Sequence, residues 1–482
     1  MSWNSELEAA FNPKAIAVVG ASLKEDSLIE VDFVKAHQVL GYQGHIYPVN
    51  RKAIETSEID GLKVYPNLSS IPEHIDLVIV SVPRAAVPGV LEECATVGAK
   101  NVHIFTSGFK ETGEPEGIDL ENRIVEIAQR GGLHVLGPNC MGVFCPAAKI
   151  GTFAESASAK SGPVAFTSQS GGNMGEFTGQ AEEYGIGFSK CFSYGNAAVV
   201  DSTDFLEYLA TDPETKIITM YIEGVKDGKK LTEQVTEINK TKPVIIYKGG
   251  LTESGSRAAS SHTGALSGQA AVWETFFKQT GAVGVDSLDE LRDVTMTFLY
   301  CPPPKGRRIA LIGAGGGNSV FGADICAREG LQLPKILPKT KELLMSFVPL
   351  EGTSIGNPFD IGVALRDASF LDRALEPLGA DPNIDCLMYD FAVGMLVLDY
   401  GSAREEMINH VVDFAKNNPY GVTLLMIVHR WMGGMDSTNE QAALRSQFLH
   451  CAVPAYHSLQ RASRAYSKFV SYHEFHRKRR QV

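Results

Sequence analysis

Residues 15–22, Ala-Ile-Ala-Val-Val-Gly-Ala-Ser, run from an unbroken apolar stretch directly into a glycine and serine loop. A short apolar run with no polar alternation suits a strand buried on both faces, and a glycine after it lets the next helix begin close to the strand end. The same signature recurs at Thr167-Ser168-Gln169-Ser170-Gly171-Gly172 and at Ile312-Gly313-Ala314-Gly315-Gly316-Gly317. Further Val- and Ile-rich runs lie at 77–82, 102–105 and 135–136, then at 164–167, 217–222 and 244–248, and finally at 309–312, 386–389 and 422–428, separated by amphipathic stretches, and 45–49 is read as the strand after the first loop. Strands alternating with helices predict right-handed βαβ crossovers and parallel sheets. The expected fold class is α/β, with three doubly wound units.

Composition sets the frame for these units. With 482 residues, 44% of them hydrophobic and 21% charged, the chain has ordinary globular composition and the length of about three domains. Pro138-Asn139 and the small, polar stretch 146–162 separate the first two, and Pro302-Pro303-Pro304-Lys305-Gly306 is a stiff connector before the third. The expected domains are 1–144, 145–300 and 301–482. A net charge of -12 gives no general attraction for nucleic acid or an anionic membrane, and Arg477-Lys478-Arg479-Arg480 reads as a solvated tail. Eight scattered cysteines form no Cys-x-x-Cys pair, so neither a zinc site nor a disulfide framework is expected, and a reducing cytoplasm fits. Neither a secretory signal at the start nor an apolar run of about 18 residues is present, which predicts a soluble protein without a membrane span.

Each glycine loop could present backbone amides at a helix start to an anion. A nicotinamide-dinucleotide site is not spelled by Gly20-Ala21-Ser22-Leu23, and the following strand ends at Asn50 rather than at an acid that would hold a ribose. Ser168-Gln169-Ser170-Gly171-Gly172 lacks the first glycine of a hydrolase elbow. No glycine-lysine-serine/threonine end follows any of the loops, so no P-loop is present. His262, in Ser260-Ser261-His262-Thr263-Gly264-Ala265-Leu266, sits among small and hydroxyl-bearing residues, where an imidazole can be exposed and mobile enough to act as a nucleophile.

Taken in order, Phe11-Asn12-Pro13-Lys14, Val18-Val19-Gly20-Ala21-Ser22, Tyr47-Pro48-Val49-Asn50, Gly108-Phe109-Lys110-Glu111 and Gly137-Pro138-Asn139-Cys140 resemble the coenzyme A-binding domain of nucleoside-diphosphate-forming acyl-CoA synthetases, the succinyl-CoA synthetase-like family. Ser168-Gln169-Ser170-Gly171, Tyr221-Ile222-Glu223-Gly224, Ser261-His262-Thr263-Gly264 and Asn357-Pro358-Phe359-Asp360 extend the resemblance over nearly the whole chain. The order of motifs is most similar to the α subunits of the ADP-forming acetate-CoA ligase group. The resemblance implies a Rossmann-like CoA-binding domain, a phosphohistidine domain and a third, flavodoxin-like domain. It also implies phosphorylation of His262, with Glu223 orienting its ring and Ser170, Gly171 and Gly172 holding the phosphate. Gly20, Ala21, Ser22, Val49, Asn50, Val82 and Pro83 would line the CoA path, and Asn139 and Cys140 the thioester end. No metal site is implied. Asp26-Ser27-Leu28-Ile29 stands where relatives carry a Gly-Ser-Val-Gly type stretch, Val199 stands where an acid is common, and Gly315-Gly316-Gly317-Asn318 where glycine-proline is frequent.

The family requires an ATP-grasp domain for nucleotide and magnesium, and the three units leave no stretch of about 200 residues to build one. The expectation is therefore a hetero-oligomer whose β subunit carries ATP/ADP and Mg, acting on coenzyme A and a small carboxylic acid or its acyl-CoA. A non-catalytic CoA or acyl-CoA sensor is the alternative reading.

Overall fold

The computed structural model describes residues 3–22, 32–54, 56–152, 159–257, 269–313, 315–349, 353–361, 369–393, 401–430 and 434–480. His262 and the departure at 26–29 lie outside them. The chain divides into two compact units, Met1–Glu182 with Gly187–Leu291, and Glu183–Ile186 with Arg292–Val482.

The run 15–19 is buried at every residue and forms the strand Ala15–Val19, with His45–Val49 and Leu77–Val80 parallel on its two sides. Asn101–Ile104 and His134–Leu136 complete a five-stranded parallel sheet in the order 45–49, 15–19, 77–80, 101–104, 134–136. Val19 is level with both Val49 and Val80, so the three strands end together and their loops share one edge.

The second sheet has the order Val283–Val285, Val244–Lys248, Ile217–Ile222, Ser161–Ser168, Phe188–Ser193, Gly142–Phe144. Only the last of these strands is antiparallel. Gly142–Phe144, directly after the Gly137-Pro138-Asn139-Cys140 turn, thus hydrogen-bonds to the second sheet. The helix Trp3–Phe11 ties the two sheets together: Phe11 is fully buried, stacks on Tyr208 at 5.1 Å and meets Phe192 at 5.5 Å.

The second unit holds a sheet ordered Thr353–Ser354, Phe359–Ile361, Ile309–Gly313, Cys386–Val393, Thr423–Arg430, Ala455–Tyr456, with only the first edge strand antiparallel. The three doubly wound sheets expected from the sequence are thus present. No helix among the described residues is long and apolar enough to cross a membrane.

Candidate active site

When consecutive crossovers leave a parallel sheet in opposite directions, the loops at the carboxyl ends of two adjacent strands part and open a crevice. In the first sheet this point lies between Ala15–Val19 and Leu77–Val80, and in the second between Ser161–Ser168 and Ile217–Ile222. Both crevices belong to the first unit.

Gly20 stands at the first crevice with φ +97°, and a Cβ there would lie 2.1 Å from the Ser81 carbonyl oxygen, so only glycine allows the loop to turn here. Its N–H donates to the Val49 carbonyl at 2.9 Å, and Asn50 Nδ2 donates to the Ala21 carbonyl at 2.9 Å. Asn50 therefore braces the Gly20-Ala21-Ser22 turn from the neighbouring strand. The Val49 side chain is buried in the core, so of the expected CoA-lining residues it offers only its backbone. On the opposite lip, Thr106 Oγ1 fixes the Val82 carbonyl at 2.7 Å, just before Pro83.

A cleft of ≈ 580 Å³ runs from Val82 and Pro83 to Asn139 and Cys140 and on to Ser170, Gly171 and Gly172. Residues singled out in three distant parts of the sequence are thereby brought to one cavity. Gly20, Ala21, Ser22, Val49 and Asn50 do not form its walls; Gly20 backs it by packing against Ser81. Cys140 is buried, and burial pushes its thiol up to about 12, so at neutral pH it is a protonated wall rather than a nucleophile. His103 Nε2 is 2.9 Å from the Cys140 carbonyl, which only a ring N–H can satisfy. Burial lowers His103 to about 4, which leaves the ring neutral.

Ser170 caps the helix Gly171–Gly179, its Oγ accepting from the Asn173 N–H at 3.3 Å. A Cβ on Gly171 would lie 2.6 Å from Met141 Cγ, whereas one on Gly172 would meet nothing closer than Ser170 Oγ at 3.9 Å. The first glycine lets the helix pack closely on the first domain's turn, and the second leaves its backbone approachable. Helix-start amides opening on a cleft suit a phosphate.

Glu223 follows the end of Ile217–Ile222 and is buried at 5% exposure, held from three sides. Gln169 Oε1, reaching across the second crevice, accepts from the Glu223 N–H at 2.8 Å and the Gly224 N–H at 2.9 Å. Tyr221 donates its hydroxyl to Glu223 Oε1 at 3.1 Å, and burial followed by that carboxylate pushes the phenol up. Lys248 Nζ donates to the Glu223 carbonyl at 2.8 Å and to the Gly249 carbonyl.

Sequence reasoning did not single out Gln169, Tyr221 or Lys248 as functional, although a charge closing the otherwise uncharged run 244–248 is a usable signal. It also passed over Asn196, whose Nδ2 donates to Glu111 Oε2 at 2.5 Å and Glu121 Oε2 at 2.9 Å. Glu111 in turn accepts the Gly108 N–H at 2.6 Å and the Phe109 N–H at 3.1 Å. This clasp joins the second sheet's Gly195-Asn196 turn to the first sheet's 108–111 loop. Burial raises the Glu121 carboxyl against its hydrogen bond from Asn196.

In the second unit, the third glycine loop is anchored by Asp360 Oδ1 accepting the Gly315 N–H at 2.6 Å, and His429 Nδ1 pairs with Asp390 at 2.7 Å. Among the described residues no group of three His, Cys, Asp or Glu is arranged to hold a metal ion.

Residues 14–146 match the model of a CoA binding domain, and residues 161–298 that of a succinyl-CoA ligase like flavodoxin domain. The subunit alpha of acetate-CoA ligase [ADP-forming] II from Pyrococcus furiosus is 41% identical over 383 residues, 79% of this chain and 81% of its own length. The corresponding subunit alpha of enzyme I from the same organism is 35% identical over 98% of this chain and 99% of its own. The dinucleotide forming acetyl-coenzyme A synthetase 1 of Ca. Korarchaeum cryptofilum, solved in complex with phosphate and ADP, superposes with a TM-score of 0.83 at 32% identity, covering 99% of both chains. With relatives this similar along nearly their whole length, the chain belongs to the family of ADP-forming acetate-CoA ligase α subunits.

Proposed function

We propose that this chain is the CoA-binding, phosphohistidine-carrying subunit of an ADP-forming acyl-CoA ligase: acid + CoA + ATP in equilibrium with acyl-CoA + ADP + phosphate. The observation that carries this reading is the single cleft that joins the Val82-Pro83 lip and the Asn139-Cys140 turn to the Ser170-capped helix start, with buried Glu223 at the adjoining crevice. The first part suits a pantetheine arm, and the second a phosphate.

In the direction of ATP formation, a phosphate oxygen attacks the thioester carbonyl carbon held near Asn139, the C–S bond breaks, and the CoA thiolate leaves. The Gly171 and Gly172 amides face the resulting acyl phosphate. A His262 ring nitrogen attacks its phosphorus, the bond to the acyl oxygen breaks, and the carboxylate departs. Glu223 accepts a hydrogen bond from the other ring nitrogen, which fixes the tautomer and stabilises the developing cation. ADP on an ATP-grasp β subunit, which also carries Mg, then takes the phosphoryl group and frees His262. Dividing the reaction removes the need for acid, CoA and nucleotide to meet in one pocket. The proposed mechanism requires His262 to meet the acyl phosphate and the ADP in turn.

The proposed division of labour is 1–144 for CoA, 145–300 for the phosphohistidine and 301–482 as the third, flavodoxin-like domain. A cytoplasmic location is supported by eight free thiols. The test is incubation of the chain, with and without its β subunit, with radiolabelled phosphate and a panel of acyl-CoAs beginning with acetyl-CoA. Acid-labile, base-stable label on the wild type and none on His262→Asn is expected, with CoA binding equal in both. No label under any condition would replace this reading with that of a CoA sensor.

A further inference from the structure

Lys248 is an unusual residue for its place. It ends the strand Val244–Lys248, level with Ile222 of the neighbouring strand, and is 3% exposed. An ammonium is rarely buried without a carboxylate bonded to it, because the lost hydration must be replaced. Here Nζ donates instead to the carbonyls of Glu223, at 2.8 Å, and Gly249, and lies 5.4 Å from the centre of the Trp273 ring. Carbonyl oxygens and an aromatic face stabilise a cation without neutralising it, so the charge remains available to its surroundings. The turn that it clamps carries Glu223.

We propose that Lys248 is a positioning residue for phosphoryl transfer: its ammonium fixes the backbone of the Glu223 turn and supplies the positive charge that offsets the buried carboxylate. This rests on the reading that Glu223 orients the phosphorylated imidazole. Gln169 holds the amides of the same turn while Lys248 holds its carbonyl, so the Glu223 backbone is gripped on both polar groups. A phosphoryl group with about two negative charges arriving near Glu223 would be repelled by that carboxylate, and a fixed cation behind it reduces the repulsion.

The groups facing Nζ define how it titrates. From the turn after the strand Ile217–Ile222 comes Glu223; the paired Tyr221 and Tyr247 precede Ile222 and Lys248 by one residue and so belong to the other face of the sheet; and the helix Ala270–Thr280 contributes Trp273, which does not ionise. Burial lowers the ammonium to about 8, with the Glu223 carboxylate opposing. The charged form is therefore present below that value and lost above it. Turnover that depends on the ammonium declines as the pH rises through about 8 to 9.

The test compares the wild type, Lys248→Met and Glu223→Gln, each assembled with the β subunit, by kcat and KM for phosphate and CoA between pH 6.5 and 9.5. The wild type should show an alkaline decline in kcat. Lys248→Met should have at least tenfold lower kcat at pH 7, no alkaline decline in the same range, and a KM for CoA within twofold. A flat wild-type profile over this range overturns the proposal without reference to any variant, and so does a Lys248→Met enzyme with wild-type kcat. Should Lys248→Met not fold, the same profile is read on Lys248→Gln, which retains a donor but not the charge. Glu223→Gln separates the two claims: wild-type kcat in that variant refutes the orienting role of Glu223 itself, whereas an inactive Glu223→Gln beside an unimpaired Lys248→Met refutes only the role of Lys248.

Discussion

Gln169→Leu should damage both stability and turnover by severing one interaction. Leucine nearly conserves the volume of the buried glutamine, so no large cavity forms, but it removes the Oε1 that accepts the Glu223 and Gly224 N–H groups at 2.8 and 2.9 Å. Two N–H groups lose their acceptor inside the protein, each costing about 1–3 kcal/mol, which gives about 2–6 kcal/mol for the pair. The turn can relieve part of this by shifting toward solvent, and that shift carries Glu223 away from its place. A displacement of about 1 Å at a reacting group costs on the order of a hundredfold in rate, so kcat should fall by at least tenfold while KM for CoA stays within twofold. Urea unfolding reads the first quantity, with the Glu223 and Gly224 amides followed by hydrogen exchange, and steady-state turnover with the β subunit reads the second. A loss below about 0.5 kcal/mol together with unchanged kcat would refute the reasoning, because neither the desolvation of the amides nor the placement of Glu223 would then depend on Gln169.

Gly20→Ala places a methyl 2.1 Å from the Ser81 carbonyl oxygen at φ +97°; overpacking and backbone strain together should cost about 2–4 kcal/mol and reduce the thermal protection conferred by CoA, as read by unfolding with and without ligand. Lys190, buried between Asp212 at 3.1 Å and Glu214 at 2.7 Å, should on Lys190→Met lose about 3–5 kcal/mol at pH 7, since Asp212 is left buried without its cation. Burial opposes ionisation of Asp212, but the Thr215 hydroxyl and Lys190 outweigh it and hold the carboxyl below its usual range. Its stabilisation is thus complete at neutral pH and declines as the pH falls below the ordinary carboxylate range. Asp212→Asn should flatten that part of the urea-midpoint profile between pH 7 and pH 3, and an unaltered slope would assign the decline to other groups.

Sequence made the sheet interiors legible because central parallel strands are apolar on both faces: the runs 15–19, 217–222 and 244–248 coincide with strands residue for residue. It was less informative at the edges. Phe188–Ser193 is buried throughout but carries Lys190, whose charge breaks the apolar run and is satisfied only by Asp212 and Glu214 from another part of the chain. Gly142–Phe144 and Val283–Val285 are three residues each, too short for periodicity to register. The run 77–82 ends as a strand at Val80, because Ser81, Val82 and Pro83 leave the sheet to form the cleft lip. Residue type was legible where the backbone forces it, as at Gly20 with its positive φ and at Ser170, which caps a helix. Val49 and Asn50 are adjacent in sequence, yet one is core and the other a brace, a difference that comes from the pleat and the strand end rather than from composition. Gln169 and Lys248 act through backbone groups of a turn far away in the chain, and no local pattern announces such a partner.

The clasp of Asn196 on Glu111 and Glu121 has a consequence for selectivity. Gly195 lines the cleft, and its turn cannot move away from the 108–111 loop without unseating the half-buried Asn196 amide from two carboxylates. Such a cavity behaves as a gauge of fixed bore. On the proposed function, acyl chains that fit within it should gain about 0.8 kcal/mol with each added methylene until the bore is filled, and binding measured along a series of chain lengths should then drop abruptly; a gradual taper would refute the rigid bore. Relaxing Asn196 to a smaller residue would turn the gauge into a hinge, and the steep cutoff in chain length into a gentle slope.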